Sequence, residues 1–381
     1  MRALLFERNV PRYAAAVLAG RLGPGRGASV GPLRLADVDE PEPPGAGWVR
    51  VRPRLSGICG SDLATIDGHS SRYFEPIVSF PFVPGHEVVG DLDDGRRVVV
   101  QPVLACAPRG IDPPCPSCAA GQVNRCQRIA FGDLEPGLQT GYCADTGGGW
   151  SVSLVAHESQ LHLVPEAMSD EAAVLVEPTA CAVHAARSVP AGSVAVIGAG
   201  TLGLLTIAAL RDLDRPVGRL LATAKHPEQR RLARDLGADL VVEPDALGRA
   251  VRSATRSLRV GGQLTGGIDN VVDCVGSEAS IRQALSVVAP GGTVVVVGMP
   301  ATVSIDLTTL WHREISLRGC YAYDRSDFEA AFDLVAAAGL ERLLSATYPL
   351  DRYRDAIEHA AAAGTRGAVK IAFDLRSERN R

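Results

Sequence analysis

Short apolar runs broken by polar residues fill the first third of the chain, and a different texture begins at about Ser169. WVRVRPRLSG (48–57), in which Val49 and Val51 alternate with arginines, predicts a half-buried strand. RRVVVQPVL (96–104) and WSVSLVAH (150–157) read the same way, and proline and glycine clusters at 41–47 and 113–116 punctuate them. The pattern predicts an irregular β-barrel or sandwich. The stretch 14–31, AAAVLAGRLGPGRGASVG, predicts a loop or a short helix followed by a turn, with no function attached.

Beyond Ser169, strands and helices alternate. SVAVIGAG (193–200) is a buried strand running into a glycine turn, TLGLLTIAALRDL (201–213) a helix and RLLATAK (219–225) the next strand. PEQRRLARDLG (227–237) opens with proline and closes with glycine, which suits a helix. NVVDCVG (270–276) and TVVVVGMP (293–300) are two further apolar strands. This repetition predicts an α/β fold, a doubly wound parallel sheet with helices on both faces. From about Ser326 helical spacing returns (DFEAAFDLVAAAG), an alanine-rich helix end lies near 359–365, and AVKIAF (368–373) predicts a last strand.

Composition narrows the functional classes. A chain of 381 residues exceeds one ordinary core and suggests two domains. A formal charge of −4 lacks the basic excess that nucleic acid or a membrane surface would require. No apolar run reaches a membrane span, and Glu7 and Arg8 break the N-terminal apolar start too early for a signal peptide, so a cytoplasmic enzyme is expected. The cysteines, nine in all, include a cluster of four, a distribution that favours metal binding over a disulfide framework.

The glycine turn is GAGTLG: Gly198, Gly200 and Gly203, with Thr201 and Leu202 opening the helix. Such glycines let the backbone turn sharply and approach a pyrophosphate, whose charge the helix N-terminus stabilises. A tight turn without ligand is the bland alternative, and the strand–turn–helix–strand context weighs against it. NAD sites usually carry an acid about 20 residues on, for the ribose 2′-OH. Here stand Thr223, Ala224, Lys225 and His226, with no acid before Glu228 and with Arg230 and Arg231 close behind. A missing carboxylate and nearby cations favour NADP(H) over NAD(H), although a solvated helix start would look similar.

Cys106, Cys115, Cys118 and Cys126 match a closed tetrahedral zinc site, structural because no position stays open. GICGSD (57–62) supplies Cys59, GHE (85–87) supplies His86 and Glu87, and VEPTACAVH supplies Glu177 where the β-rich part hands over to the α/β part. Catalytic zinc takes such mixed thiolate, imidazole and carboxylate donors and keeps one exchangeable position. Either Cys59 or His86 alone would read as a buried or turn residue; their joint occurrence points to a metal.

Taken together and in order, GICGSD, FVPGHEVVG, the four-cysteine loop, VEPTACAVH and VIGAGTLGLL resemble the zinc-dependent medium-chain dehydrogenase/reductase superfamily, over nearly the whole chain from about Pro32. The resemblance is closest to the polyol and threonine dehydrogenase-like branch, because Glu177 stands where many alcohol dehydrogenases carry a cysteine. It implies a chaperonin-10-like β catalytic domain (1–178 and 320–381) with an inserted Rossmann domain (179–319), zinc and substrate lying in the cleft between them. By motif match Cys59, His86 and Glu177 would ligate catalytic zinc, with Glu87 as an alternating or water-mediated ligand. Asp62 would orient His86, and Ser61 would hydrogen bond the substrate oxygen and begin a proton relay. Gly198, Gly200, Thr201, Leu202, Gly203, Ala224, Lys225, Arg230, Val275, Val297 and Gly298 would hold the cofactor. The implied reaction is hydride transfer between a nicotinamide and an alcohol/carbonyl pair (secondary alcohol, polyol or sugar-like), with zinc as Lewis acid.

Three departures accompany the match. Eight residues (APRGIDPP) separate Cys106 from Cys115 where the family's gap is usually two, which reads as a six-residue insertion. Ala64 replaces a relay histidine, leaving nearby His69, water or the cofactor ribose as the outlet. The 2′-OH carboxylate is absent. Two other readings compete: a zinc module for nucleic acid, disfavoured because 106–126 holds only Arg109 and Arg125, and a zinc-structural reductase of activated double bonds. Tyr73, Phe74, Phe131, Tyr142, Trp150 and Trp311 are candidates to line a substrate cleft, though aromatics are more often core. Family analogy implies a homodimer or homotetramer, with the apolar TVVVVGMP region extending a sheet between subunits.

Overall fold

The computed structural model describes residues 1–300 and 302–378. The chain divides into two units, Met1–Glu177 with Tyr323–Arg381, and Pro178–Ala322.

The first unit is built on a seven-stranded sheet. Its order is Leu344–Tyr348, Lys370–Asp374, Trp48–Gly57, Val88–Leu92, Arg97–Val100 and Leu161–Leu163, with Leu154–His157 also paired to Trp48–Gly57. In the long strand Val51, Pro53 and Leu55 are buried in alternation, whereas Val49, near its start, is exposed. The C-terminal strand docks antiparallel beside this one, Ala372 opposite Gly57, and so brings the end of the chain to the turn that precedes Cys59. A core of Phe6, Phe82, Trp150, Ile371 and Phe373 closes one side. Trp150 crosses Phe373 edge-on at 5.1 Å and donates from Nε1 to the Gly57 carbonyl at 3.2 Å, which fixes the same turn from behind.

Between the antiparallel strands Arg2–Phe6 and Leu33–Asp37 the chain forms a 13-residue helix, Val10–Leu22, longer than the short helix or loop expected there. Asn9 caps it by accepting the Arg12 N–H at 3.0 Å, and Pro11 lies in its first turn. Its alanine-rich sequence gives little apolar contrast, and Val10, Leu18 and Leu22 are exposed, so periodicity conceals it.

His162 illustrates how burial sets chemistry in this unit. Its ring lies 4.4 Å from that of Phe328 and its Nε2 pairs with Gln101 Oε1 at 3.2 Å. Burial, with Arg325 adding repulsion, lowers its pKa to about 4. The unfolded imidazole takes a proton near pH 6.5 while the folded one stays neutral, so stability is complete above that pH and falls as pH drops toward 4. The expected loss between pH 7 and pH 5 is about 2 kcal/mol. His162→Gln should flatten that part of the pH–stability curve in urea titrations; an unchanged slope would assign it elsewhere.

The second unit is a six-stranded parallel sheet ordered Leu240–Val242, Leu220–Thr223, Val194–Ile197, Ile268–Asp273, Val288–Val296 and Ser316–Gly319. Val194–Ile197 is wholly apolar and buried, as a strand covered on both faces should be, and in Ile268–Asp273 the buried run Val271–Val272 is flanked by buried Asn270 and Asp273. The chain winds outward in one direction from the first of these and in the other from the second. Their carboxyl ends are therefore the topological switch point where ligands bind. Val288–Val296 has a partner on each side, so it is not the free edge that the sequence suggested; Ser316–Gly319 is the outer strand, and it is exposed. Among the described residues no helix is long and apolar enough to cross a membrane.

Candidate metal centres and cofactor turn

Cys59 ends the turn that follows Trp48–Gly57 and begins the helix Gly60–Ile66. Asp62, one turn in, accepts the Cys59 N–H at 2.9 Å on Oδ2, while its Oδ1 lies 3.5 Å from His86 Nδ1 and accepts from Tyr142 Oη at 3.2 Å. Cys59, His86 and Glu87 each offer a ligand atom within 4.8 Å of the others. Burial disfavours a charged His86, yet Asp62 and Cys59 outweigh it and raise its pKa well above the ordinary value. A site that draws positive charge this strongly between thiol, imidazole and carboxylate fits a divalent cation.

Glu177 is not in that close trio. It is buried, and its Oε1 accepts a 2.9 Å hydrogen bond from Tyr323. Burial pushes its carboxyl up to about 7; His86 pulls it down, Glu87 pushes it up, and Tyr323 and Lys370 pull it down. Glu87 forms a buried ion pair with Lys370, whose Nζ also donates to the Ile58 carbonyl at 3.1 Å. Gly57 makes room for this pair: a Cβ there would lie 1.8 Å from Glu87 Oε2. Sequence reading missed both Lys370 and Tyr323. A single lysine inside the buried run of AVKIAF was a usable signal for the first; nothing local marks the second.

Tyr142, among the cleft-lining candidates, is buried against the helix that carries Ser61, where burial and Asp62 hold its phenol pKa well above 10. Trp150 belongs to the core, and Tyr73, Phe131 and Trp311 are solvent-exposed.

Cys106, Cys115, Cys118 and Cys126 also gather within 4.8 Å, the insertion after Cys106 notwithstanding. Backbone N–H groups of Cys115, Gln127 and Arg128 point at the sulfurs of Cys106, Cys115 and Cys126, at 3.3, 3.5 and 3.4 Å. Burial raises the Cys115 thiol, but the Gln127 N–H and the neighbouring thiols outweigh it and bring it to about 6, toward the thiolate that zinc requires. Arg109, within the insertion, is fully buried and donates to the carbonyls of Leu104, Phe131, Leu134, Glu135 and Gly137.

In the second unit the glycine turn follows Val194–Ile197. Gly198 has φ +90° and donates to Thr223 Oγ1 at 3.0 Å, and a Cβ on Gly203 would meet the Gly198 carbonyl at 1.8 Å. Val275 packs against Gly198, and the N–H groups of Val297 and Gly298 bond to the Asp273 carbonyl at 2.9 and 3.0 Å. Thr201 and Leu202 open the helix. These loops thus converge on the switch point, a cradle that side chains would fill and that fits a dinucleotide. At the neighbouring strand end Ala224 is buried and Lys225 exposed, while Arg230 donates to the Ala224 and Lys225 carbonyls (3.2 and 2.8 Å) and pairs with Glu243.

Residues 45–166 match the family described as alcohol dehydrogenase GroES-like domain, and residues 201–337 match that described as zinc-binding dehydrogenase. The relative named "Probable D-xylulose reductase A" in Arthroderma otae is 31% identical over 306 residues, covering 77% of this chain and 80% of that one. The chain belongs to the zinc-dependent medium-chain dehydrogenase/reductase superfamily. Within it this dehydrogenase falls on the polyol dehydrogenase-like branch: the sorbitol dehydrogenase of Bacillus subtilis is 26% identical, covering 86% of this chain and 89% of that one. A solved zinc-binding dehydrogenase from Sinorhizobium meliloti, bound to NADP, superposes with a TM-score of 0.73 at 26% identity, covering 91% and 97%. The dehydrogenase is therefore a zinc- and nicotinamide-dependent oxidoreductase of alcohol/carbonyl pairs, with a GroES-like and a Rossmann-like domain.

Proposed function

We infer that this dehydrogenase interconverts a polyol or related secondary alcohol with its ketone, using NADP(H), at a zinc held by Cys59, His86 and Glu177. The observation that carries the site is the close grouping of Cys59, His86 and Glu87; Glu177, buried and under the charges of His86 and Glu87, is the third ligand of this reading. A zinc held there would supply Lewis acidity at the substrate oxygen, and a nicotinamide would supply the hydride acceptor or donor. The chain's own residues do the rest. Asp62 orients His86, and Ser61, at the start of the helix Gly60–Ile66, takes up the hydroxyl proton. Lys370 holds Glu87 as a second carboxylate beside the thiol and imidazole. The polyol preference is supported by Glu177 in place of a cysteine and by relatives named as xylulose reductase and sorbitol dehydrogenase.

The NADP preference is supported by Ala224, which leaves no carboxylate at the strand end, and by exposed Lys225 beside it. Arg230 already bridges loop carbonyls and Glu243, so Lys225 is the better phosphate partner. Free cysteines throughout suit the reducing cytoplasm, and the exposed outer strand Ser316–Gly319 suits a homodimer or homotetramer.

The test is a screen of polyols, secondary alcohols and their ketones with NAD and NADP in parallel, read by absorbance of the reduced cofactor. NADP should be preferred, and Lys225→Ala should lower kcat/KM for NADP relative to NAD by roughly ten- to a hundredfold, the worth of one charge-assisted hydrogen bond. Equal use of both cofactors by the variant and the parent would withdraw Lys225 from the phosphate site.

A further inference from the structure

The segment from Ala246 to Ile268 carries arginines at 249, 252, 256 and 259 and no carboxylate, in a chain whose formal charge is −4. Three of them, Arg249, Arg252 and Arg259, line one cavity of about 190 Å³ within the second unit. Arg249 and Arg252 stand three residues apart on the helix Leu247–Thr255 and so share a face. Arg259 comes from a small antiparallel hairpin, Arg259–Val260 with Gln263–Leu264, in which it lies opposite Leu264. Residues directly opposite project to the same side, and Leu264 also lines the cavity, so Arg259 faces it. We propose that this cavity binds a small phosphate-bearing anion, at a site separate from the cofactor turn.

All three arginines are solvent-exposed, and among the described residues none of their side chains forms an ion pair. Arg282, on the adjoining helix Glu278–Val287, differs in being paired with Glu278 at 2.8 Å. Asp245 is the one carboxylate in the lining, which leaves positive charge in excess. A concave surface with an excess of one charge focuses its field and concentrates ions of the opposite sign. Guanidinium forks match phosphate oxygens in pairs, which a lone cation does not. The volume is below the roughly 300–1,000 Å³ of sites for drug-sized ligands, and so suits phosphate or a small phosphate ester rather than a dinucleotide.

The walls are held before any ligand arrives. Gly261 and Gly262, at φ +55° and +86°, form the two-residue turn of the hairpin. Buried Arg313 ties that hairpin down, donating to the carbonyls of Leu264, Gly266 and Val288 at 2.9, 3.1 and 2.8 Å. Across the cavity, Gln283 Nε2 donates to the Pro244 carbonyl at 2.7 Å, which fixes the helix Glu278–Val287 to the segment entering Leu247–Thr255. Gly248 and Gly262 are wall residues, and a Cβ at either would meet no atom within 4 Å, so the space beside the arginines stays open. None of the lining belongs to the glycine turn 198–203 or to Val275, Val297 or Gly298. Anion and dinucleotide therefore do not compete for the same groups.

The test is calorimetric titration of the full chain saturated with NADP, and in parallel with NAD, so that the glycine turn is already filled. Sodium phosphate and glycerol 3-phosphate are the probes, at constant ionic strength because exposed charges are screened by salt. The parent should bind one equivalent. Arg252→Gln and Arg259→Gln should each weaken binding about tenfold, the loss of one charge-assisted contact. Asp245→Asn, which removes the opposing charge, should tighten it about threefold, a gain that a merely structural role would not produce. All three are surface changes, so Tm in phosphate-free buffer should stay within about 2 °C of the parent's. Tighter binding of glycerol 3-phosphate would identify a phosphate ester as the ligand and tighter binding of phosphate the free ion; either supports the site. A cofactor-saturated parent that binds neither probe would overturn the proposal. So would affinities that the three variants leave unchanged, or retention of duplex DNA without binding of either small anion. None of these outcomes bears on the dehydrogenase reading, which rests on other residues.

Discussion

Cys59→Ala is expected to keep its fold and to lose at least about a thousandfold in kcat/KM, because Lewis-acid stabilisation is worth several kcal/mol and each 1.36 kcal/mol is tenfold. The fold should survive because the helix it opens is held by the Cys59 backbone N–H bonding to Asp62, which alanine retains. The metal should not stay: without the thiol, the grouped His86 and Glu87 lack their soft donor. Zinc per chain should fall by one ion, the four-cysteine site keeping its own, while nicotinamide binding measured by fluorescence quenching stays intact. Full turnover after loss of that ion would overturn the mechanism and favour a reductase of activated double bonds that uses zinc only structurally.

The parts of this site that sequence discloses are those built by short stretches of chain. A glycine turn needs its strand and helix next to it, and GICGSD and GHE each place a donor beside the turn residues that aim it. Lys370 and Tyr323 depend on chain pairing instead. Lys370 reaches Glu87 because the last strand lies antiparallel to Trp48–Gly57, a register no local pattern states. Tyr323 reaches Glu177 across 146 residues of chain. Tyr142 was visible only as one aromatic among six, and its place beside Asp62 comes from the packing of its loop on the helix Gly60–Ile66. The helix Val10–Leu22 stayed open between a loop and a short helix for a different reason: Val10, Leu18 and Leu22 face solvent and only Ala16 is buried, so the amphipathic signature is missing.

Arg109→Met should be among the most destabilising single changes in the chain. The insertion after Cys106 does more than lengthen a loop: it places a guanidinium with no exposed surface among five carbonyls that have few other partners. A guanidinium fork is the one side chain able to serve that many acceptors at once. It is also a buried cation beside four clustered cysteines; four thiolates holding a zinc there would together outweigh the ion's charge, so each would offset the other's desolvation. Methionine fills much of the volume but leaves the carbonyls unpaired and the anionic centre uncompensated. Breaking one side of such an arrangement costs about 3–5 kcal/mol, which for a unit of this size corresponds to a fall in Tm of roughly 10 °C. Arg109→Lys, with the charge but not the fork, should fall between. Because the four sulfurs draw N–H donors from the same lobe, the Met variant should also release its structural zinc to a chelator faster than the parent. A Tm and a release rate both equal to the parent's would mean that water satisfies those carbonyls and that the insertion is not an anchor.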